Sequence, residues 1–422
     1  MANQDIQHAS IAEALEQAAA KAAYGIASLN SGHTSDERDR SLSEFLLIHD
    51  AGKELLASVS ATKTFFDGSG YLVAGLNGYF GFHANNAVDV LIRRVLSGMS
   101  AASALAWLAK LLATKSAPGR AIMAVWGIEC DIPIDLGQGV IVVPIDSLPD
   151  SSARSWVLRS MDPTVRGMSL GSLWHAPRCA LVTARTISPL LYRASAGDPP
   201  PQPDPFKVQN LLNDARLALT LDGPSHPLPA GHWFEFDDPE LRLAFHSGGI
   251  SFEHIEVIPL GFEPPRQLDA VRSAALVSSF LEMQEAQRSP LRLSLRRLNQ
   301  ALRRPPHGDR ALDLAIALES LLVENAGENT YKLGLRAALL VGDSLEDKRR
   351  IRALITALYG LRSTLVHRGE LPKTIKVAGV RRPAPEVVED ATAVAAQVLT
   401  RIVEMKKLPD WHALELGLSS HA

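Results

Sequence analysis

Arg362 and His367 stand five positions apart in "LYGLRSTLVHRGEL", residues 358 to 371. An imidazole transfers protons near neutral pH, and a guanidinium holds carboxylate or phosphate oxygens through a rigid fork of donors. Such a pair suits an active site that moves a proton beside an anion. The competing reading is two cations near a helix C-terminus, where the negative end of the helix dipole favours them by about 0.3–1 kcal/mol. Spacing alone does not separate the two. The chain has 13 histidines, and at its arginine frequency about one of them falls five residues after an arginine by chance. Five residues of ideal helix also turn the two side chains about 140° apart. They meet only if the last turn unwinds or a second subunit contributes.

Positioning such a pair falls to the helices around it. A helix is expected over 345–368, because Ile351, Leu354, Ile355, Leu358, Leu361 and Leu365 recur at helical spacing. Ser344 followed by Asp347 marks its start as a capping pattern, and Gly369 marks its stop, where a left-handed cap costs little. Arg362 lies four residues beyond Leu358 and seven beyond Ile355, so it interrupts the apolar stripe. A guanidinium there needs a carboxylate, a phosphate or a partner surface. The helix over 309–325 carries a matching oddity, Glu319 on the line of Leu312, Ala315 and Ile316. Packing the two helices together would bring Glu319 to Arg362, as a structural ion pair or as the acidic member of a site. The dipole explanation suits Arg368 better, since Arg362 sits nearly two turns before Gly369.

From about residue 268 the chain reads as helical, through "LDAVRSAALVSSFLEMQEAQR", "LRLSLRRLNQALRR", "DRALDLAIALESLLVEN", "TYKLGLRAALLVG" and "LEDKRRIRALITALYGLRSTLVHRG". A sixth segment, "PEVVEDATAVAAQVLTRIVEMKK", follows a loop containing Pro372, Pro383 and Pro385. The run "RALDLAIALESLLVENAGENTYKLGLRAALLVGD" followed by "IRALITALYGLRSTLVHRGE" resembles the Apea-like branch of the HEPN superfamily. The likeness covers about residues 305–370, with an extension toward 410, and leaves the first 285 unmatched. It implies an all-α HEPN-like bundle over 288–412 and a metal-independent endoribonuclease with no cofactor. Arg362 and His367 match the catalytic pair, and Glu319 the acidic position that orients or tunes them. His367 would move a proton to or from the 2′-hydroxyl or the leaving 5′-oxygen, and Arg362 would neutralise charge on the phosphorus oxygens. The resemblance further implies RNA as partner, a homodimer that sets two motifs face to face, and a role as toxin or in antiviral defence. Ser363 departs from the strongly polar residue that active members often carry after the arginine, and some relatives are inactive scaffolds. A catalytically silent RNA-binding or assembly module is therefore the alternative.

Composition bounds the rest. At 422 residues, two or three domains of about 150 residues are expected. A hydrophobic fraction of 46% with 21% charged residues excludes a disordered or fibrous chain. The net charge of −3 hides an asymmetry: Arg288 to Arg382 holds 19 Lys and Arg against 9 Asp and Glu, a local +10 that leaves −13 elsewhere. A basic module beside an acidic one points to a polyanion for the basic part, with nucleic acid ahead of a merely solvated cationic face. Cys130 and Cys179 form no disulfide framework, and "MANQDIQHAS" lacks a basic patch before an apolar core, so a reducing, cytoplasmic location is expected. The most apolar stretch, "SGMSAASALAWLAKLLA", is interrupted by Lys110 and falls short of a membrane span.

Residues 1–285 read as an α+β regulatory or sensing portion. Helices are expected over 10–29, 42–59 and about 86–114, then strands at "GVIVVPI" (139–145), "CALVTARTI" (179–187), "RLALTL" (216–221) and "HIEVIPL" (254–260). "AGDPPPQPDP", 196–205, reads as an extended connector and a possible internal break. Within this portion "GMSLG" fits the G-x-S-x-G pattern and makes Ser169 a remote serine-hydrolase candidate, although the strand before and helix after that such an elbow requires are lacking. His232, Asp237, Asp238 and His246 gather in "HWFEFDDPELRLAFH", where strand and turn are the simpler reading than metal ligation. Neither a P-loop nor a dinucleotide glycine pattern is present.

Overall fold

The computed structural model describes residues 2–31, 37–66, 68–75, 78–160, 176–193, 205–245, 264–304, 306–324 and 327–417. Alanine- and leucine-rich segments open the chain as α1 (Ala2–Ser31), α2 (Glu37–Ala51) and α3 (Lys53–Ala61). The single helix expected over 42–59 is two, broken at Gly52. A Cβ on Gly52 would come 2.4 Å from Val88 Cγ1, so the break is where another helix approaches closely. Strands β1 (Tyr71–Ala74) and β2 (Tyr79–Phe82) follow, then α4 (Ala84–Leu96) and α5 (Ala101–Leu112), which divide the helical region expected over 86–114 at Gly98.

The middle of the chain builds a five-stranded antiparallel sheet. Its elements are β3 (Ala117–Trp126), β4 (Ile128–Glu129), β5 (Ile134–Asp135), β6 (Val140–Pro144), α6 (Ser152–Ser160), β7 (Cys179–Ile187), β8 (Leu191–Arg193), α7 (Pro205–Ala218), β9 (Leu228–Phe236), α8 (Pro239–Ala244) and β10 (Arg266–Gln267). The strand order is β5-β6-β7-β3-β9, while β8 pairs with β1. Alternate residues of β3 serve two cores: Ala121, Met123 and Val125 face the main one, and Ile122, Ala124 and Trp126 join Trp233 and Val157 in a smaller one. Cys130 and Cys179, 49 positions apart, meet in the main core as free buried thiols, with their Sγ atoms 3.6 Å apart.

The strands at 139–145 and 179–187 appear as β6 and β7. The strand expected at 216–221 does not: "RLALTL" is the end of α7 and a 3-10 turn, Leu219–Leu221. Residues 214–222 are buried throughout, so the alternation of leucine with smaller residues records no solvent-facing side. The stretch 254–260, residues 196–204 of the proline-rich connector, Ser169 and His246 lie outside the described residues.

The C-terminal helices are α9 (Ala270–Glu282), α10 (Glu285–Arg303), α11 (His307–Leu322), α12 (Asn329–Val341), α13 (Leu345–Arg368), α14 (Ala384–Met405) and the short α15 (Trp411–Glu415). α14 is the central rod. Val387, Val388, Ala391, Val394, Ala395, Val398, Leu399 and Ile402 are buried along it, and α9 to α13 all pack against it. The expected proline loop contains a hairpin, β11 (Thr374–Val377) and β12 (Val380–Pro383), turned by Ala378 at φ 49° and Gly379 at φ 85°. Two positive φ values match the twist of tightly connected strands. Sheets thus occupy the N-terminal and middle parts and helices dominate the C-terminal part. One apolar core runs unbroken from Ile11 in α1 to Trp411 in α15. No helix among the described residues is long and apolar enough to cross a membrane.

Candidate active site

α13 begins and ends where its sequence dictates. The Ser344 hydroxyl accepts from Asp347 N–H at 3.1 Å, and Gly369, at φ 74°, donates its N–H to Leu365 at 2.8 Å. Ile351, Leu354, Ile355, Leu358 and Leu361 are buried, and Leu365 is half-buried. Arg362 sits at the border of this stripe rather than inside it, with 33% of its side chain exposed. Glu319 lies at the corresponding border of α11, 26% exposed. The two helices pack together, and Arg362 Nη2 comes 3.8 Å from Glu319 Oε2.

Two further residues complete the cluster. The Tyr359 hydroxyl and the Asn329 side-chain amide both donate to Glu319 Oε1, at 3.1 and 2.9 Å. Tyr359, three residues before Arg362 on α13, also places its ring 5.3 Å beneath the guanidinium, a cation–π arrangement. Thus Glu319 divides its oxygens, one for two neutral donors and one for the arginine. Arg362 Nε is buried and makes no hydrogen bond among the described residues. The guanidinium is oriented from two sides yet retains donor capacity and access to solvent, as an anion-binding group requires.

His367 is exposed, and α13 stays helical through Arg368. The last turn therefore does not unwind, and about 140° separates His367 from Arg362 around the helix axis. One copy of the chain brings together Arg362 and Glu319 but leaves His367 on another side of α13. Tyr359 and Asn329 escape sequence reasoning because a tyrosine and an asparagine on half-exposed helix surfaces are ordinary. Their one legible signal is that Tyr359 precedes Arg362 by three residues, the spacing of helical neighbours.

The other candidates have structural work. Asp237 accepts from Arg120 Nε at 2.9 Å, and Asp238 caps α8 by accepting from Glu240 N–H at 2.8 Å. His232 lies buried within β9. Compared with protein-family models, curated proteins and solved structures, the chain finds no match.

Proposed function

We propose that the C-terminal helices form a metal-independent endoribonuclease of the HEPN kind, with Arg362 and His367 as its catalytic groups and Glu319 as a positioning residue. The observation that carries this reading is the Arg362 guanidinium, aimed by Glu319 and Tyr359 and partly open to solvent. In the reaction, the RNA's own 2′-hydroxyl attacks the adjacent phosphorus and the bond to the 5′-oxygen breaks. His367 takes the hydroxyl proton or delivers one to the leaving oxygen, and Arg362 neutralises the charge on the non-bridging oxygens. The products are a 2′,3′-cyclic phosphate and a 5′-hydroxyl. On this reading, because an unbroken helix separates His367 from Arg362, the complete site takes two copies, each supplying one of the two groups.

The same separation favours a second reading, in which each copy holds RNA without cutting it. The test is incubation of labelled RNA with the protein in EDTA. Discrete fragments ending in cyclic phosphate, lost in His367→Ala, support the nuclease. A mobility shift without fragments supports the binding module. Because His367 is exposed and contributes at most a dipole interaction of about 1 kcal/mol, the variant keeps its fold. Cleavage at the normal rate by His367→Ala, or a requirement for divalent metal, removes the assignment. A place in toxin or antiviral defence rests on the resemblance alone.

A further inference from the structure

A cavity of about 1080 Å³ lies apart from the Arg362 cluster, between β7, α7 and α10. Seven basic side chains line it against two carboxylates, so its charge is strongly positive. On α10 the arginines follow the helical repeat: Arg288, Arg292 and Arg296 are spaced by four and form one stripe. Leu291, Leu295 and Leu298 are buried on the neighbouring face of the same helix. Across the cavity stand Arg185 of β7 and Lys207 of α7.

The two carboxylates fix part of this wall without cancelling the rest. Buried Asp214 holds Arg292 by two bonds, Nε to Oδ1 at 2.5 Å and Nη2 to Oδ2 at 2.8 Å, and lies 3.4 Å from Arg288 Nε. Glu285 also pairs with Arg292 and with Arg288, the latter at 3.0 Å. Hydrogen bonding from Arg292 holds the Glu285 carboxyl down at about 2, so it stays ionised and the clamp persists at neutral pH. Arg185, Lys207 and Arg296 have no carboxylate within ion-pair distance among the described residues. Three uncompensated cations facing one concavity repel one another until an anion arrives.

We propose that this cavity binds a small molecule carrying two or more phosphate groups. The phosphates would sit between the arginine stripe of α10 and the Arg185 and Lys207 wall, where forked guanidinium donors match phosphate oxygens. Leu211, Leu228 and Pro229 give the cavity an apolar side for a less polar body, as a nucleotide has. Walls from β7, α7 and α10 around a volume of about 1080 Å³, just above the roughly 300–1,000 Å³ of small-ligand sites, suit a compact ligand better than a passing nucleic-acid strand. This site shares no residue with the proposed nuclease centre and does not depend on it.

The test is calorimetric titration of the full chain with sodium tripolyphosphate and with ATP, beside a labelled single-stranded RNA of about ten nucleotides. Wild-type protein binds the phosphorylated small molecules. Lys207→Glu combined with Arg296→Glu, both at exposed positions, weakens them about a hundredfold, roughly tenfold per cation removed. Arg185→Gln, which only neutralises, weakens them about tenfold and guards against a folding defect in the reversals. The proposal is overturned if neither small molecule binds below about 1 mM, or if these variants leave their affinities unchanged. It is equally overturned if only the RNA binds through these side chains, which would make the cavity part of a strand path.

Discussion

Glu319→Gln isolates one interaction of the Arg362 cluster. Both neutral donors go to Oε1 and the arginine faces Oε2, so a glutamine with its carbonyl oxygen in the Oε1 position keeps Tyr359 and Asn329. Its amide nitrogen then points donors at the guanidinium. The loss is the ion pair alone, at 3.8 Å between side chains a quarter to a third exposed, and solvent screening limits that to about 0.2–1 kcal/mol. Glu319→Ala removes the two hydrogen bonds as well. At about 1 kcal/mol each in this half-exposed setting, its total is about 2–3 kcal/mol. Urea unfolding reads both values, and single-turnover cleavage reads the consequence for the guanidinium. Glu319→Gln should slow cleavage well beyond what its small stability loss predicts, because the untethered Arg362 leaves its aimed orientation. A double-mutant cycle of Glu319→Gln with Arg362→Met should return a stability coupling of about 0.2–1 kcal/mol. Equal stability losses in Glu319→Gln and Glu319→Ala, or no coupling to Arg362, would refute the division of labour between the two oxygens.

Three further outcomes are expected. Buried Arg336 donates from Nη1 to the Leu322 carbonyl and from Nε to Glu415, both at 2.7 Å, and lies over Trp411. Arg336→Met should cost about 2–3 kcal/mol in urea unfolding, mostly from the orphaned buried Leu322 carbonyl, with little from the exposed Glu415, and a cost below about 1 kcal/mol rejects its role in joining α11, α12 and α15. Mixing the inactive Arg362→Ala and His367→Ala proteins should restore up to about a quarter of wild-type cleavage, since half the dimers are mixed and each mixed dimer contains one intact composite site. No recovery after subunit exchange argues that each copy works alone. RNA affinity should fall steeply with salt, with a logarithmic slope of about 0.7 per phosphate held. A flat dependence removes the basic helices from the RNA contact.

Legibility in the sequence tracked solvent exposure. The α13 boundaries, its apolar stripe and the Glu319–Arg362 meeting follow from caps, a 3.6-residue repeat and two ions among leucines. β3 was not legible: "APGRAIMAVW" lacks β-branched alternation because the strand is buried on both sides and carries Pro118 and Gly119. The end of α7 misled for the same reason, since burial on every side erases the period that tells helix from strand. The arginine excess of α10 was visible as charge, but the cavity it lines was not. Its other wall comes from Arg185 and Lys207, residues about 100 positions earlier that only the sheet and α7 bring across.

α10 has two committed sides: its arginines line the basic cavity, and its buried side packs on α11, which carries Glu319. α10 is thus in contact with both the cavity proposed to hold phosphates and the helix of the proposed nuclease carboxylate. If an occupant of the cavity shifts α10 against α11, the influence on the Arg362 cluster must be mutual. If a phosphorylated ligand changes RNA affinity by some factor, RNA must change that ligand's affinity by the same factor.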